Sequence, residues 1–130
     1  MPSRSLHRRM TRPATEPEFG SFDAIEGDEP WPGVHRNAFD TSRATVTRYE
    51  FEPGAVFPMH RHPQEQITVL EAGEAEFTVG DEVRVLRPGA WSVVPPGVEH
   101  GLAAGRSGAR LLAIVVPRRE RPDAYEVSGR

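Results

Sequence analysis

Turn-forming residues recur so often between residues 53 and 117 that they cut this chain too finely for helices. They stand at Pro53-Gly54, Pro63, Ala72-Gly73, Gly80-Asp81, Pro88-Gly89, Pro95-Pro96-Gly97, Gly105 to Gly108 and Pro117. Proline lacks the amide hydrogen a helix interior needs, and glycine makes any regular element entropically costly to order. The segments between these breakers are short, β-branched and largely alternating: Thr45 to Phe51, Gln66 to Leu70, Glu74 to Val79, Glu82 to Leu86, Trp91 to Val94 and Arg110 to Val116. No segment sustains a period of 3.6 residues. Short strands at even spacing predict an all-β sandwich or barrel.

The flanks read differently. Residues 1–15 hold Arg4, Arg8, Arg9 and Arg12 with little to bury, which predicts a mobile arm. Residues 16–30 are acidic, with Phe19, Phe22 and Ile25 interspersed as packing points. Trp31-Pro32-Gly33-Val34 reads as a turn-bounded anchor that covers the barrel or a partner subunit. The predicted organisation is an irregular extension over residues 1–40, a barrel over 41–119 and a polar tail over 120–130, with Tyr125 its docking residue.

Within the barrel one stretch carries chemistry. In an extended strand, residues i and i+2 share a face. His60 and His62 therefore aim two imidazoles at one point, and Gln66 follows across the Pro63 turn. His100, after Pro95-Pro96-Gly97, can supply a third imidazole. Alone, a His-x-His pair reads as two solvated histidines on an edge strand. With Gln66 and His100 it offers three neutral nitrogens and one amide oxygen, a donor set for one divalent ion such as Fe, Mn, Ni or Zn. Glu65 alternates with Gln66 and points outward.

The frame around these residues carries a resemblance. Gly54, His60, His62, Gln66 and Gly73, followed by Gly89, Pro95, Gly97 and His100, resemble in order and spacing the two motifs of the cupins. The resemblance covers residues 54–104 and implies a single jelly-roll β-barrel with a metal held inside. The first cupin motif usually carries Glu where this chain has Gln66, and some cupins use Gln there. The second usually ends in Asn where this chain has Ala104. The phrase His62-Pro63-Gln64-Glu65-Gln66-Ile67 looks most like the small cupins that linearise unsaturated uronates in pectin breakdown. In that group the last strand carries an Asp, a Phe and, beyond it, an Arg, which fall on Ala113, Val115 and Arg119. Only the arginine is kept. The missing acid speaks against uronate linearisation.

Composition removes other chemistries. There is no cysteine, and all 16 basic residues are arginine, so thiol nucleophiles and lysine Schiff bases are excluded. A formal charge of −3 gives nucleic acid no foothold. No apolar run approaches membrane-spanning length, and no apolar leader follows the amino-terminal arginines, so a cytoplasmic protein is expected.

A neutral ligand set leaves a bound divalent ion its full charge, which favours a small anionic organic substrate or ligand. Arg48 and Arg119 are the expected carboxylate holders, and Thr68, Ala113 and Val115 the expected pocket wall. The alternative for Arg48 is a solvated outer face. Trp91 is expected in the core, and His35 has no assigned chemistry. Three readings stay open: a Lewis-acid isomerase, lyase or cyclase, an Fe(II)-dependent dioxygenase, and a non-catalytic binding or sensing module. A homodimer is expected, with Trp31 and Phe39 as apolar contacts to a partner copy.

Overall fold

A computed structural model describes residues 16–121 and 124–128. The expected mobile arm, residues 1–15, lies outside them. Among the described residues nine strands follow in order: β1 (Asp28–Trp31), β2 (Val34–Asp40), β3 (Thr45–Phe51), β4 (Val56–Arg61), β5 (Glu65–Val79), β6 (Glu82–Leu86), β7 (Trp91–Val94), β8 (His100–Val116) and β9 (Glu126–Val127). They form one curled antiparallel sheet in the order β1-β2-β3-β8-β4-β9, with β5 joining β8 to β6 and β7. The described residues contain no α-helix, only a single 3-10 turn over Phe22–Ala24. None of their helices is long and apolar enough to cross a membrane. The fold is the all-β barrel read from the breakers, in the jelly-roll form that the resemblance implies.

Two long strands, β5 and β8, run side by side from Glu65↔Val116 to Val79↔His100 and curl the sheet on itself. Two expected strands merge in β5, and the expected Gly105–Gly108 loop lies inside β8. The physical reason is a bend rather than a break. Pairing shifts at Leu70/Ala72 and Gly73/Ala75, where Gly73 (φ 76°) and Gly108 (φ 77°) meet back to back. A Cβ on Gly73 would overlap the Gly108 carbonyl, so the strands turn the corner only without side chains there.

Curling leaves one inner face, filled by Val34, Phe51, Phe57, Leu70, Phe77, Leu86, Val94, Leu102 and Leu111. Ahead of the barrel, the expected irregular chain is in part a hairpin. β1 and β2 pair, and β2 runs along β3 from Val34↔Phe51 to Asp40↔Thr45. Its inward positions include Arg36 and Asp40, both buried, so the strand lacks the apolar alternation that sequence reading requires. Trp31 packs on its own chain against Phe57, their ring centroids 6.2 Å apart. At the other end β9 pairs with β4, and Tyr125 docks on Phe57 as expected.

Trp91 corrects an expectation. It is 69% exposed, because Val94 and Ser92 take the inward phase of β7 and strand alternation turns Trp91 out.

Candidate metal centre

Three strand ends bring the histidines together. His60 on β4 pairs directly with His100, which opens β8, and His62 follows one residue beyond β4. All three side chains are buried, and one ligand nitrogen from each lies within 4.8 Å of the others. Ring centroids are 4.1 Å apart for His60–His100 and 4.9 Å for His62–His100. Gln66, one strand over on β5, reaches the same point, its Oε1 3.0 Å from His62 Nε2. Thr68, two residues on, faces inward beside it and is almost wholly buried.

Hydrogen bonds fix which nitrogens are free. His60 Nδ1 lies 2.8 Å from the Pro58 carbonyl, His62 Nδ1 3.1 Å from the Gln64 carbonyl and His100 Nδ1 3.0 Å from the Val98 carbonyl. A carbonyl only accepts, so each ring carries its proton on Nδ1 and turns an Nε2 lone pair inward. This is the arrangement by which backbone carbonyls orient metal-binding histidines.

The residues fit a divalent ion on two counts. His100 Nε2 is buried with no hydrogen-bond partner, a cost of roughly 1–3 kcal/mol that an ion would relieve. The Gln66 amide nitrogen donates to Thr68 Oγ1 at 2.9 Å, which leaves its oxygen facing the His62 lone pair. Two acceptors at 3.0 Å repel unless a cation joins them.

The electrostatics agree. Burial, then the neighbouring His100, pushes His60 down to about 3, and burial pushes His100 down to about 4. Burial lowers His62 as well. All three imidazoles are neutral at pH 7, the form a metal requires. Arg119 lies inside the barrel, donating from Nη2 to Thr47 Oγ1 at 3.1 Å, and its charge further depresses His60 and His62.

The remaining expected residues divide. Ala113 and Val115 belong to the inward, buried set of β8, paired opposite Thr68 and Gln66. Arg48 is not brought to the site. It lies on the outer face, donating from Nη2 to Asp23 Oδ1 at 2.7 Å and stacking over Phe22. Thr47, Tyr49 and Phe51 take the inward phase of β3, which leaves Arg48 outside. Glu65 is exposed, as alternation requires.

A narrow cleft opens beside His60, Gln66 and His100. Its lining also includes Tyr49, Phe51, Phe57 and Phe77, with Leu102 and Leu111. Sequence reading missed this aromatic wall, although the alternation of Tyr49 with Phe51 opposite Arg48 held the signal. His35, with no assigned chemistry, lies apart in an exposed cluster with Glu29 and Glu52. Its hydrogen bond with Glu52 raises its pKa.

Comparison with known proteins agrees with this geometry. The Cupin domain family matches residues 47–116, more than half of the chain. The xanthan biosynthesis protein XanB of Xanthomonas campestris is 34% identical over 98 residues, 74% of this chain, but the chain spans only 17% of that protein. An RmlC-like cupin from Shewanella frigidimarina superposes with a TM-score of 0.74 at 25% identity, over 81% of this chain and 95% of the other. KdgF from a Halomonas species superposes with a TM-score of 0.74 at 28% identity, over 79% and 97%. Oxalate decarboxylase of Bacillus subtilis shares the fold with a TM-score of 0.76 at 18% identity, over 84% of this chain and 32% of its own.

Proposed function

The chain belongs to the cupin family, and from that premise we propose that it is a small metalloenzyme of isomerase, lyase or cyclase type. It holds one divalent ion through His60, His62, Gln66 and His100. Its substrate is a small organic anion. One observation carries this reading: three buried imidazoles with their protons held on Nδ1 bring their ligand nitrogens within 4.8 Å of one another, with the Gln66 oxygen 3.0 Å from His62 Nε2. The donor set suits Fe, Mn, Ni or Zn alike. The oxalate decarboxylase of the same fold contains Mn(II) centres.

Bound there, the ion supplies Lewis acidity to a substrate oxygen. The chain's own residues do the rest. Thr68 holds the Gln66 amide so that its oxygen, not its nitrogen, meets the ion. Arg119 is the carboxylate holder, its planar fork suited to two-point binding. No ligand is anionic, so a bound ion keeps its full charge and leaves a positive site that an anion neutralises.

The lining residues of the cleft include no carboxylate, and Ala113 and Val115, which pair with Thr68 and Gln66 but do not line the cleft, offer neither an acid nor an aromatic ring. Unpartnered sugar hydroxyls are penalised by about 1–3 kcal/mol each in such a site. A less hydroxylated oxo-acid or polyketide-like anion fits better than a uronate. Wild-type protein is expected not to turn over an unsaturated uronate, and an Ala113→Asp, Val115→Phe double variant to gain that activity. Wild-type turnover left unaffected by Ala113→Asp would contradict the assignment of that wall.

The same lack of a carboxylate favours a second reading, in which the site activates oxygen with Fe(II) or only binds its anion. Oxygen uptake by Fe(II)-loaded protein with candidate acids, beside isomer formation under argon, separates the readings. We read the assembly as a homodimer.

A further inference from the structure

The cleft has a second polar end, apart from the histidines. Pairing places Arg36, Tyr49, Leu111 and Leu70 in one row across β2, β3, β8 and β5. Arg36 and Tyr49 are therefore direct cross-strand neighbours on the inner face, with side chains in reach of each other. Tyr49 lines the cleft. Its ring packs edge-on against Phe57 at 6.0 Å, and Phe57 packs on His60 at 4.4 Å, which links the two ends. Among the described lining residues, Tyr49 is the only polar side chain besides His60, Gln66, Thr68 and His100.

Arg36 is a costly residue to place behind that tyrosine. Its side chain is 3% exposed, while its partner Asp28 is 49% exposed. Nε donates to Asp28 Oδ1 at 2.7 Å and Nη2 to Asp28 Oδ2 at 3.1 Å. Burial works against the Arg36 charge, but Asp28 and Tyr49 outweigh it and raise the pKa. Fastening β1 to β2 accounts for Nε and Nη2. It does not account for Nη1, which is buried without a hydrogen-bond partner. Such orphaned donors are rare in folded proteins and call for a reason.

We propose that Tyr49 binds an acceptor oxygen of the substrate at this end of the cleft, and that Arg36 is the positioning residue behind it. The phenol donates its hydrogen bond to the ligand. Its oxygen then becomes a stronger acceptor, and Arg36 Nη1 gains the partner it lacks, as hydrogen bonds in a chain strengthen one another. The assignment deepens the metalloenzyme reading above and rests on it. It narrows the substrate to a small acid with three parts. A carboxylate meets the ion, a flat apolar body lies against Phe57 and Phe77, and a carbonyl oxygen reaches Tyr49. A conjugated or aryl oxo-acid has this pattern, whereas a sugar acid sets hydroxyls against the rings.

Calorimetric titration of the Zn(II)-loaded full chain with cinnamate and with 4-acetylcinnamate tests the proposal. The second acid differs from the first by a carbonyl group at its far end. Wild type is expected to bind 4-acetylcinnamate about tenfold more tightly, and this ratio to fall to about one in Tyr49→Phe. Arg36→Met should lower the ratio as well, but change it no further in a Tyr49→Phe background, because Arg36 acts through the phenol. Zinc stoichiometry checks the folding of each variant. A wild type that binds no zinc, or neither acid once loaded, would overturn the metalloenzyme reading and this subsite with it. A ratio near one in wild type, or one that survives Tyr49→Phe, would overturn the subsite alone. A ratio lost in Tyr49→Phe and kept in Arg36→Met would remove Arg36 from its role.

Discussion

In the proposed metal centre, Gln66 would set the charge of the ligand set, and its hydrogen bond to Thr68 turns the amide oxygen toward His62. Replacing Gln66 by Glu places a carboxylate among three imidazoles. Metal affinity should rise, while anion binding to the loaded protein should fall by roughly tenfold, as the Lewis acid loses net charge. Calorimetric titration with the metal and then with a carboxylate reads both. Replacing Thr68 by Val keeps shape and removes the amide's acceptor. The Gln66 nitrogen can then turn to His62, and metal affinity should drop about tenfold or more. An unchanged affinity would remove Thr68 from the positioning of the site.

Acid should act through the same histidines. Their pKa values are depressed in the folded chain, to about 3 for His60 and about 4 for His100, against 6.5 when unfolded. Between those limits the unfolded chain binds more protons than the folded one, so stability is lost as pH falls from about 6.5. Exposed His35 has the opposite sign, because its pKa is raised by Glu52. Thermal midpoints of chelator-treated protein should therefore fall on acidification below pH 6.5, and less steeply in His60→Gln. Equal slopes in wild type and variant would contradict the buried, neutral assignment.

At the scale of elements, the barrel depends on β5 and β8. Leu70 sits at their bend with none of its surface exposed, so Leu70→Ala should cost about 2–5 kcal/mol in denaturant unfolding. Gly73→Val should cost more than Leu70→Ala does, since the Gly108 backbone leaves its side chain no room. The barrel was legible because its signals are local, breakers and alternation, whereas the joining of His60 and His62 with Gln66 and His100 was legible through the resemblance to the two cupin motifs. The hairpin of β1 and β2 was hidden because Arg36 and Asp40 occupy its inward phase. Trp91 was misread because its size suggested the core, whereas its phase relative to Val94 sets it outside. The outward position of Arg48 follows equally from its phase against Tyr49 and Phe51. The placement of Arg119 was beyond local reading, since it depends on contact with Thr45 and Thr47, more than seventy residues earlier.

For the whole molecule, a small barrel must seal a polar site inside one curled sheet. The inner face accommodates buried imidazoles because each has a backbone carbonyl for its Nδ1 proton and faces a shared ligand position. The central claim is that this position binds a divalent ion through His60, His62, Gln66 and His100. Metal content by elemental mass spectrometry of protein purified without added metal, for wild type beside His62→Ala and His100→Ala, tests it most directly. One divalent ion per chain in wild type, with affinity at least about tenfold weaker in each variant, is the predicted result. Metal bound equally well by wild type and both variants would contradict it.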